Sequence, residues 1–216
     1  MGSDDELNSE IKELFAASEF TSKKPDLIIE STIYDEDLKF KNLSLIEQTY
    51  GTVVPVLSCS NVITLREQYV KCGLVSNMTG ISLYKSFSKG KGIEISLTEH
   101  TNIDLFNKAL KFFEGLRNIH KVTDRTGMIA LRIIILIINE AFLVRQEGTS
   151  VEADINTAMK LGTNYPYGPF EWCELIGVDV VYNLLKKLHS EFGDDRYRIT
   201  PLLKEMYLNS LINKTE

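Results

Sequence analysis

Asp124-Arg-Thr-Gly-Met-Ile-Ala-Leu-Arg132 opens the stretch that decides the fold. It runs through Ile-Asn-Glu-Ala141 and Glu-Gly148 into Ala-Asp-Ile-Asn-Thr-Ala-Met-Lys-Leu-Gly162, and ends in Tyr-Pro-Tyr-Gly-Pro-Phe-Glu171. Met128 to Gln146 reads as one long helix, apolar nearly all round in its first half. Such a helix must be covered on all sides. The run Met128 to Ile138 is about half the length of a membrane span and contains Arg132, so burial in protein explains it better. In a small domain, full cover implies a second subunit. Thr149-x-x-Glu152 predicts the cap of the next helix, which ends at Gly162. Gly168-Pro169 starts a third, with proline in the first turn, stopped by Gly177. Asp179 caps a fourth, with Val181, Leu184, Leu185 and Leu188 on one face. Tyr165 to Trp172 reads as a rigid corner, its prolines fixing the chain and its aromatics packing beneath; an acyl or pantetheine groove is the alternative. Arg132 among isoleucines requires a partner, and Asp124 or Glu140 would supply an ion pair. Asn139 and Glu140 are assigned to the same helix-packing network.

Upstream the pattern is different. Residues 1 to about 20 predict an amphipathic helix with Leu7, Ile11, Leu14 and Phe15 on one face. Asp26-Leu-Ile-Ile-Glu-Ser31 suits a buried parallel strand. Asp37 to Gln48 predicts a helix with Leu38, Leu45 and Ile46 inward, closed near Gly51. Thr52 to Ser58 is a second strand, where Pro55 favours an edge or an irregularity. Thr64-x-x-Glu67 is a capping box. Gly80 to Lys85 and Gly92 to Leu97 are further strands, the latter burying Ile93, Ile95 and Leu97 on one face. Asn102 to Glu114 predicts a helix stopped by Gly115, with Ile103, Phe106, Leu110 and Phe113 at helical spacing. His120 reads as a surface-loop histidine. Strand–helix alternation followed by a helical block means an α/β part, residues 1–123, then an all-α part, residues 124–216.

Bulk properties narrow the function. The chain of 216 residues carries a net charge of −6, with 44% hydrophobic and 25% charged residues. That balance argues against a nucleic-acid partner, since phosphate neutralisation needs clustered Lys and Arg. Cys59, Cys72 and Cys173 form no C-x-x-C pair, which fits a reducing cytoplasm. His100, His120 and His189 lack metal-ligand spacing, so no metal is expected. The acidic Met-Gly-Ser-Asp-Asp-Glu start shows no secretory signal, and no membrane association is expected.

The stretch from Asp124 to Gly177 resembles the C-terminal domain of the 3-hydroxyacyl-CoA dehydrogenases. That family reads D-x-x-G-F-I-x-N-R, N-E-A, E-G, I-D-x-A-M-K-L-G and P-x-G-P-F-E in this order. Weaker likeness extends from Asp26 to Pro201. Asp26-Leu-Ile-Ile-Glu30 and Asp37-Leu-Lys39 resemble the family's D-L-V-I-E-A and D-L-x-L-K, and Ser60-Asn61 its S-N-T-S-S. Gly80 and Ile93-Glu94 resemble the frames of G-x-H-F-F-N-P and L-V-E-V. The resemblance implies a partial Rossmann-like parallel-sheet half followed by a helical dimerisation domain. It implies NAD as the family cofactor, acyl-CoA as ligand, and a homodimer through helix 128–146. It places Glu94 and Ser82 at the catalytic pair, Ser60, Asn61 and Lys39 towards substrate, and Glu30 and Lys39 towards the cofactor; the basic side chains Lys85 and Lys89, beside flexible glycine turns, are read separately as candidates for the phosphates of CoA.

Three departures bear on activity. The G-x-G-x-x-G βαβ unit, which seats a pyrophosphate on a helix N-terminus, has no counterpart: no glycine stands between Gly2 and Gly51. Ser82 occupies the position of the catalytic histidine, twelve residues before Glu94. A histidine beside a carboxylate exchanges protons near neutral pH; an isolated serine does not. Leu131 stands in the place of a substrate-binding asparagine. Glu94 reads either as a residual acid or as the exposed face of an alternating strand, and the second reading is preferred. Lys85, Lys89 and Lys91, with Gly90 and Gly92, suit either phosphate contact or a solvated hairpin. The expected function is a catalytically impaired family member of acyl-CoA and fatty-acid metabolism, without a bound cofactor, acting as a dimeric acyl-CoA binder or partner subunit. The alternative is an active NAD-dependent 3-hydroxyacyl-CoA or 3-hydroxybutyryl-CoA dehydrogenase.

Overall fold

The computed structural model describes residues 5–15, 24–74, 76–85 and 92–213, the side chains of Leu14 and Phe15 excepted. The chain divides into two compact units, residues 1–129 and 130–216.

The first unit carries one five-stranded sheet in the order β1 (Ile28–Glu30), β2 (Val56–Cys59), β3 (Met78–Ile81), β4 (Gly92–Leu97) and β5 (Asn118–Thr123). The first three strands are parallel, β4 runs antiparallel to β3, and β5 is parallel to β4. Helices α1 (Asp5–Phe15), α2 (Glu36–Tyr50), α3 (Leu65–Lys71) and α4 (Ile103–Leu110) belong to this unit, and a single 3-10 turn at Lys111–Phe113 prolongs α4. Asp35 caps α2 by accepting from the Leu38 amide at 3.0 Å, and Gly51, at φ 57°, ends it. Thr64 and Glu67 form the capping box of α3. One core cluster, including Ile28, Leu43, Ile46, Val56, Leu65 and Met78, is built from α2, α3 and the parallel strands.

Several sequence expectations change here. The inward stripe of α2 is Lys39, Asn42, Leu43 and Ile46, whereas Leu45 is 42% exposed. Ile46 is inward as expected and Leu38 half-buried, but two of the four inward positions are polar, so apolar periodicity missed part of the buried face. Pro55 stands just before β2, an interior strand, and its carbonyl accepts from the Ile28 amide at 3.0 Å. The edge strand on that side of the sheet is β1. The third strand begins two residues before Gly80 and ends at Ile81. In β4, Ser96 is buried, its hydroxyl 3.4 Å from that of Ser60, and Leu97 is only half-buried. Ile103 is exposed while Phe106 and Phe113 are buried.

β5 was not expected. Its residues are largely exposed, as befits an edge strand, so no clean hydrophobic alternation announces it. His120 therefore lies on a strand, not in a loop.

The second unit is helical: α5 (Ala130–Gln146), α6 (Glu152–Thr163), α7 (Pro169–Ile176), α8 (Val178–Phe192) and α9 (Pro201–Asn213). The last of these was not expected. Within the unit α5 packs against α7, α8 and α9. Leu131, Ile135, Ile138 and Phe142 form its buried stripe at helical spacing. Met128 and Ile129 precede α5 in a turn rather than belonging to it. Thr149 does not cap α6, whose N-cap is Val151, and Asn164 in the left-handed region, not Gly162, closes it. Gly177, rather than Asp179, is the N-cap of α8. The expected ion pair of Arg132 is replaced: its guanidinium donates to the Tyr197 hydroxyl and stacks 4.8 Å from the centroid of Phe192. Asn139 accepts from the Thr200 amide at 3.0 Å and donates to the Arg198 carbonyl at 3.0 Å. The corner before α7 is closed by Glu171, which accepts from the Gly168 amide and from Lys160. Tyr165 packs on Trp172 at 5.1 Å between ring centroids.

Candidate active site

In open α/β sheets, ligands bind beyond the carboxyl ends of the parallel strands. Here that edge is formed by Glu30-Ser31 after β1, Ser60-Asn61 after β2 and Ser82-Leu83 after β3. The structure brings Ser60, Asn61, Ser82 and Glu94 into one neighbourhood. The Ser60 amide donates to the Ile81 carbonyl at 3.1 Å, and the Ser82 amide to the Glu94 carbonyl at 3.0 Å. Asn61 Nδ2 donates to the Leu83 carbonyl at 2.7 Å. Ser60 Oγ lies 3.4 Å from Ser96 Oγ. A Cβ on Gly80 would meet the Ser96 hydroxyl at 2.0 Å and the Ser60 hydroxyl at 2.3 Å. Only glycine permits three strands to meet there.

Ser82 is 5% exposed and its hydroxyl has no hydrogen-bond partner among the described residues; the same holds for Asn61 Oδ1. Buried polar atoms are rarely left so, and they mark this edge as a place able to hydrogen-bond a ligand. Glu94 Oε2 accepts from the Ile129 amide at 3.0 Å. The carboxylate thus holds the turn leading out of the first unit. That turn contains Gly127 at φ 77° and Met128 at φ 46°; a left-handed non-glycine residue is strained. Its position is fixed further by the Gly127 amide, which donates to the Asn61 carbonyl at 2.6 Å. Asp124 accepts from the Leu65 and Arg66 amides at 2.9 and 3.0 Å. Burial pushes its carboxyl above the ordinary value although those two amides pull it down.

Glu30 and Lys39 are brought together, but with each other. Both side chains are wholly buried and form an ion pair. Lys39 also donates to the Cys59 carbonyl at 2.7 Å and to Ser58 Oγ at 3.3 Å. Glu30 Oε1 accepts from the Thr32 amide at 3.0 Å and from Asn42 at 3.2 Å. Gln68 completes the network, accepting from Ser58 Oγ at 2.6 Å. Lys85 is half-buried, 3.5 Å from Glu6 of α1. The candidate Lys89, with Lys91, lies outside the described residues.

Sequence reasoning missed the register that sets His120 beside Glu94 across β4 and β5. The imidazole occupies the space over Gly92, where a Cβ would meet it at 2.7 Å. Recognising β5 was the signal needed. Tyr84 was missed as well. Burial pushes its phenol up to about 12, with Glu94 and Glu10 adding to the rise. Between the ordinary value near 10 and that of the folded protein, only the unfolded state has lost the proton. Stability contributed by the neutral phenol is therefore lost as pH rises through this window. Ultraviolet titration should show one tyrosine ionising near 12, absent in Tyr84→Phe; tyrosines that all titrate together near 10 would contradict this.

No helix among the described residues is long and apolar enough to cross a membrane. The described residues hold no cluster of three metal-ligating side chains.

Residues 127–216 match the family model described as 3-hydroxyacyl-CoA dehydrogenase, C-terminal domain. A 3-hydroxybutyryl-CoA dehydrogenase from Clostridioides difficile is 28% identical over 196 residues, covering 90% of this chain and 70% of that protein. A 3-hydroxyadipyl-CoA dehydrogenase from Escherichia coli (strain K12) is 40% identical over 120 residues, 55% of this chain but 25% of that protein. The crystal structure of (S)-3-hydroxybutyryl-CoA dehydrogenase from Ralstonia eutropha is similar with a TM-score of 0.75 at 26% identity. The match covers 86% of this chain and 66% of that one.

Proposed function

As this chain belongs to the 3-hydroxyacyl-CoA dehydrogenase family, we propose that it is a catalytically impaired member, binding acyl-CoA thioesters as a dimer or serving as a partner subunit. The observation that carries the reading is Ser82. It stands twelve residues before Glu94, is buried, and presents a hydroxyl with no partner among the described residues. A serine there can donate a hydrogen bond to a thioester or 3-keto oxygen. It cannot supply a proton near neutral pH as a histidine would. Asn61 offers a second buried oxygen at the same edge, and a hydroxyl or amide of the ligand would satisfy it.

NAD, the cofactor the family implies, is not well served by the described residues. Glu30 and Lys39, the positions set towards it, are sealed in a mutual ion pair with internal partners for both. No glycine stands between residues 5 and 50 to bring backbone close to a pyrophosphate. Separate titrations with NADH and with acetoacetyl-CoA test the reading. Binding of the thioester without binding of NADH supports it. Tight binding of both, with turnover, would establish the active dehydrogenase instead.

The dimer rests on the apolar surface left by α5. Ile135 and Ile138 are spent inside the second unit, while Ile133 is 55% exposed and Ile137 half-buried one turn on. A second copy that covers this stripe would form an apolar interface of the obligate kind. Ile133→Glu is expected to give monomers in sedimentation with the helix content kept, because the side chain contributes little to its own subunit's core. A wild-type chain that sediments as a monomer at micromolar concentration would refute the dimer.

A further inference from the structure

The short helix α1 meets the first unit at the carboxyl edge of the parallel strands. Asn8 Oδ1 accepts from Ser31 Oγ, the residue just after β1, at 2.7 Å. Glu6 lies 3.5 Å from Lys85, four residues after β3. Glu10 is close enough to Tyr84, one residue earlier, to act on its phenol. The ends of β1 and β3 are two strand spacings apart, roughly 10 Å, about the diameter of a helix with its side chains. The helix thus links the two sides of the position where β2 ends in Cys59, Ser60 and Asn61. Its apolar anchors are sound: Leu7 is wholly buried and Ile11 nearly so. Its contact with Lys85 is made by an exposed Glu6 and a half-buried lysine. An element of eleven residues, too short to hold its own helix in water, is stable only while docked.

From these contacts we infer that α1 is a gate, which in its docked position closes the edge holding Ser60, Asn61 and Ser82. A ligand that hydrogen-bonds Asn61 and Ser82 reaches them when α1 lifts. The docked helix opposes such a ligand by bulk. The inference deepens the acyl-CoA reading and rests on it for the ligand, but the motion itself is measurable without any ligand.

Cys59 is the reporter. It is wholly buried at the end of β2, with its thiol 3.5 Å from the Leu83 carbonyl, and burial pushes the thiol up. Cys173, buried in the second unit with its thiol raised to about 12, is the internal reference. Two variants of the full chain release α1 differently: Leu7→Asp removes the apolar anchor, and Glu6→Gln/Asn8→Ala removes polar contacts without placing charge in the core. Thiol labelling followed by mass spectrometry should show Cys59 reacting at least tenfold faster in both variants, with Cys173 unchanged. If Leu7→Asp also accelerates Cys173, it has unfolded the chain and the polar variant decides. A Cys59 rate equal to wild type in the deciding variant overturns the gate. Acetoacetyl-CoA is then titrated into the same samples. Tenfold tighter binding to the released variant supports the gate and the acyl-CoA reading together. Equal binding by wild type and variant overturns the gate alone. No binding by either, with Cys59 accelerated, removes the acyl-CoA reading and leaves the gate standing.

Discussion

Lys39→Met is expected to lower the stability of the protein by about 3–5 kcal/mol, the usual cost of removing one partner from a buried ion pair. The substitution leaves the Glu30 carboxylate at zero exposure, with the Thr32 amide and Asn42 on one oxygen but no cation. It also removes a donor from the Cys59 carbonyl, although Gln68 still donates there at 3.1 Å. Methionine nearly matches the length of the lysine stem, so lost packing contributes little and lost pairing dominates. The double variant Glu30→Met/Lys39→Met should recover most of the loss, because two apolar side chains need no compensation for desolvation. Urea unfolding read by circular dichroism measures both, provided the slope stays that of the wild type. A Lys39→Met loss of less than about 1 kcal/mol, within the range of surface ion pairs, would show that the pair is better hydrated than its burial implies.

Oxidation of NADH by acetoacetyl-CoA should be absent at ordinary enzyme concentrations. A positioned acid–base group supplies roughly 10²–10⁴-fold in rate, and Ser82 supplies none of it. Ser82→His alone is not expected to restore turnover. Glu94, which would have to orient the new imidazole, already accepts from the Ile129 amide, and Glu30 and Lys39 are committed to each other. Positioning contributes as much to such a reaction as proton transfer does. Turnover that scales with protein across independent preparations and falls in Glu94→Ala would overturn this expectation. A large gain from Ser82→His alone would mean that the nicotinamide is held by residues other than these.

The strongest signals in the sequence were of two kinds. Motif order from Asp124 to Gly177 carried the family likeness, an apolar run at Ile28 and Ile29 located a strand, and the helical spacing of Val181, Leu184, Leu185 and Leu188 located a helix. These are local or linear properties. Capping boxes such as Thr64 to Glu67 are legible for the same reason: both partners lie within four residues, so no tertiary contact is needed to form them. Where the pattern was misread, the cause is specific. The inner face of α2 carries Lys39 and Asn42, whose burial follows from partners nine to twenty residues away. β5 alternates weakly because it is an exposed edge. Arg132 met a phenol 65 residues on instead of a nearby carboxylate.

The sequence by itself therefore determined an α/β part followed by a helical part, the family likeness, and a serine at position 82, twelve residues before Glu94. Each is a matter of residue identity, order or short-range periodicity. Only the tertiary structure decided that Glu30 and Lys39 face one another and that Glu94 holds the Ile129 amide. It alone set His120 in register with Glu94, left Ile133 rather than Ile135 exposed, and docked α1 on Ser31 and Lys85. Each of those depends on which distant group lies within about 3 Å of a polar atom, and no period or propensity along the chain encodes that distance.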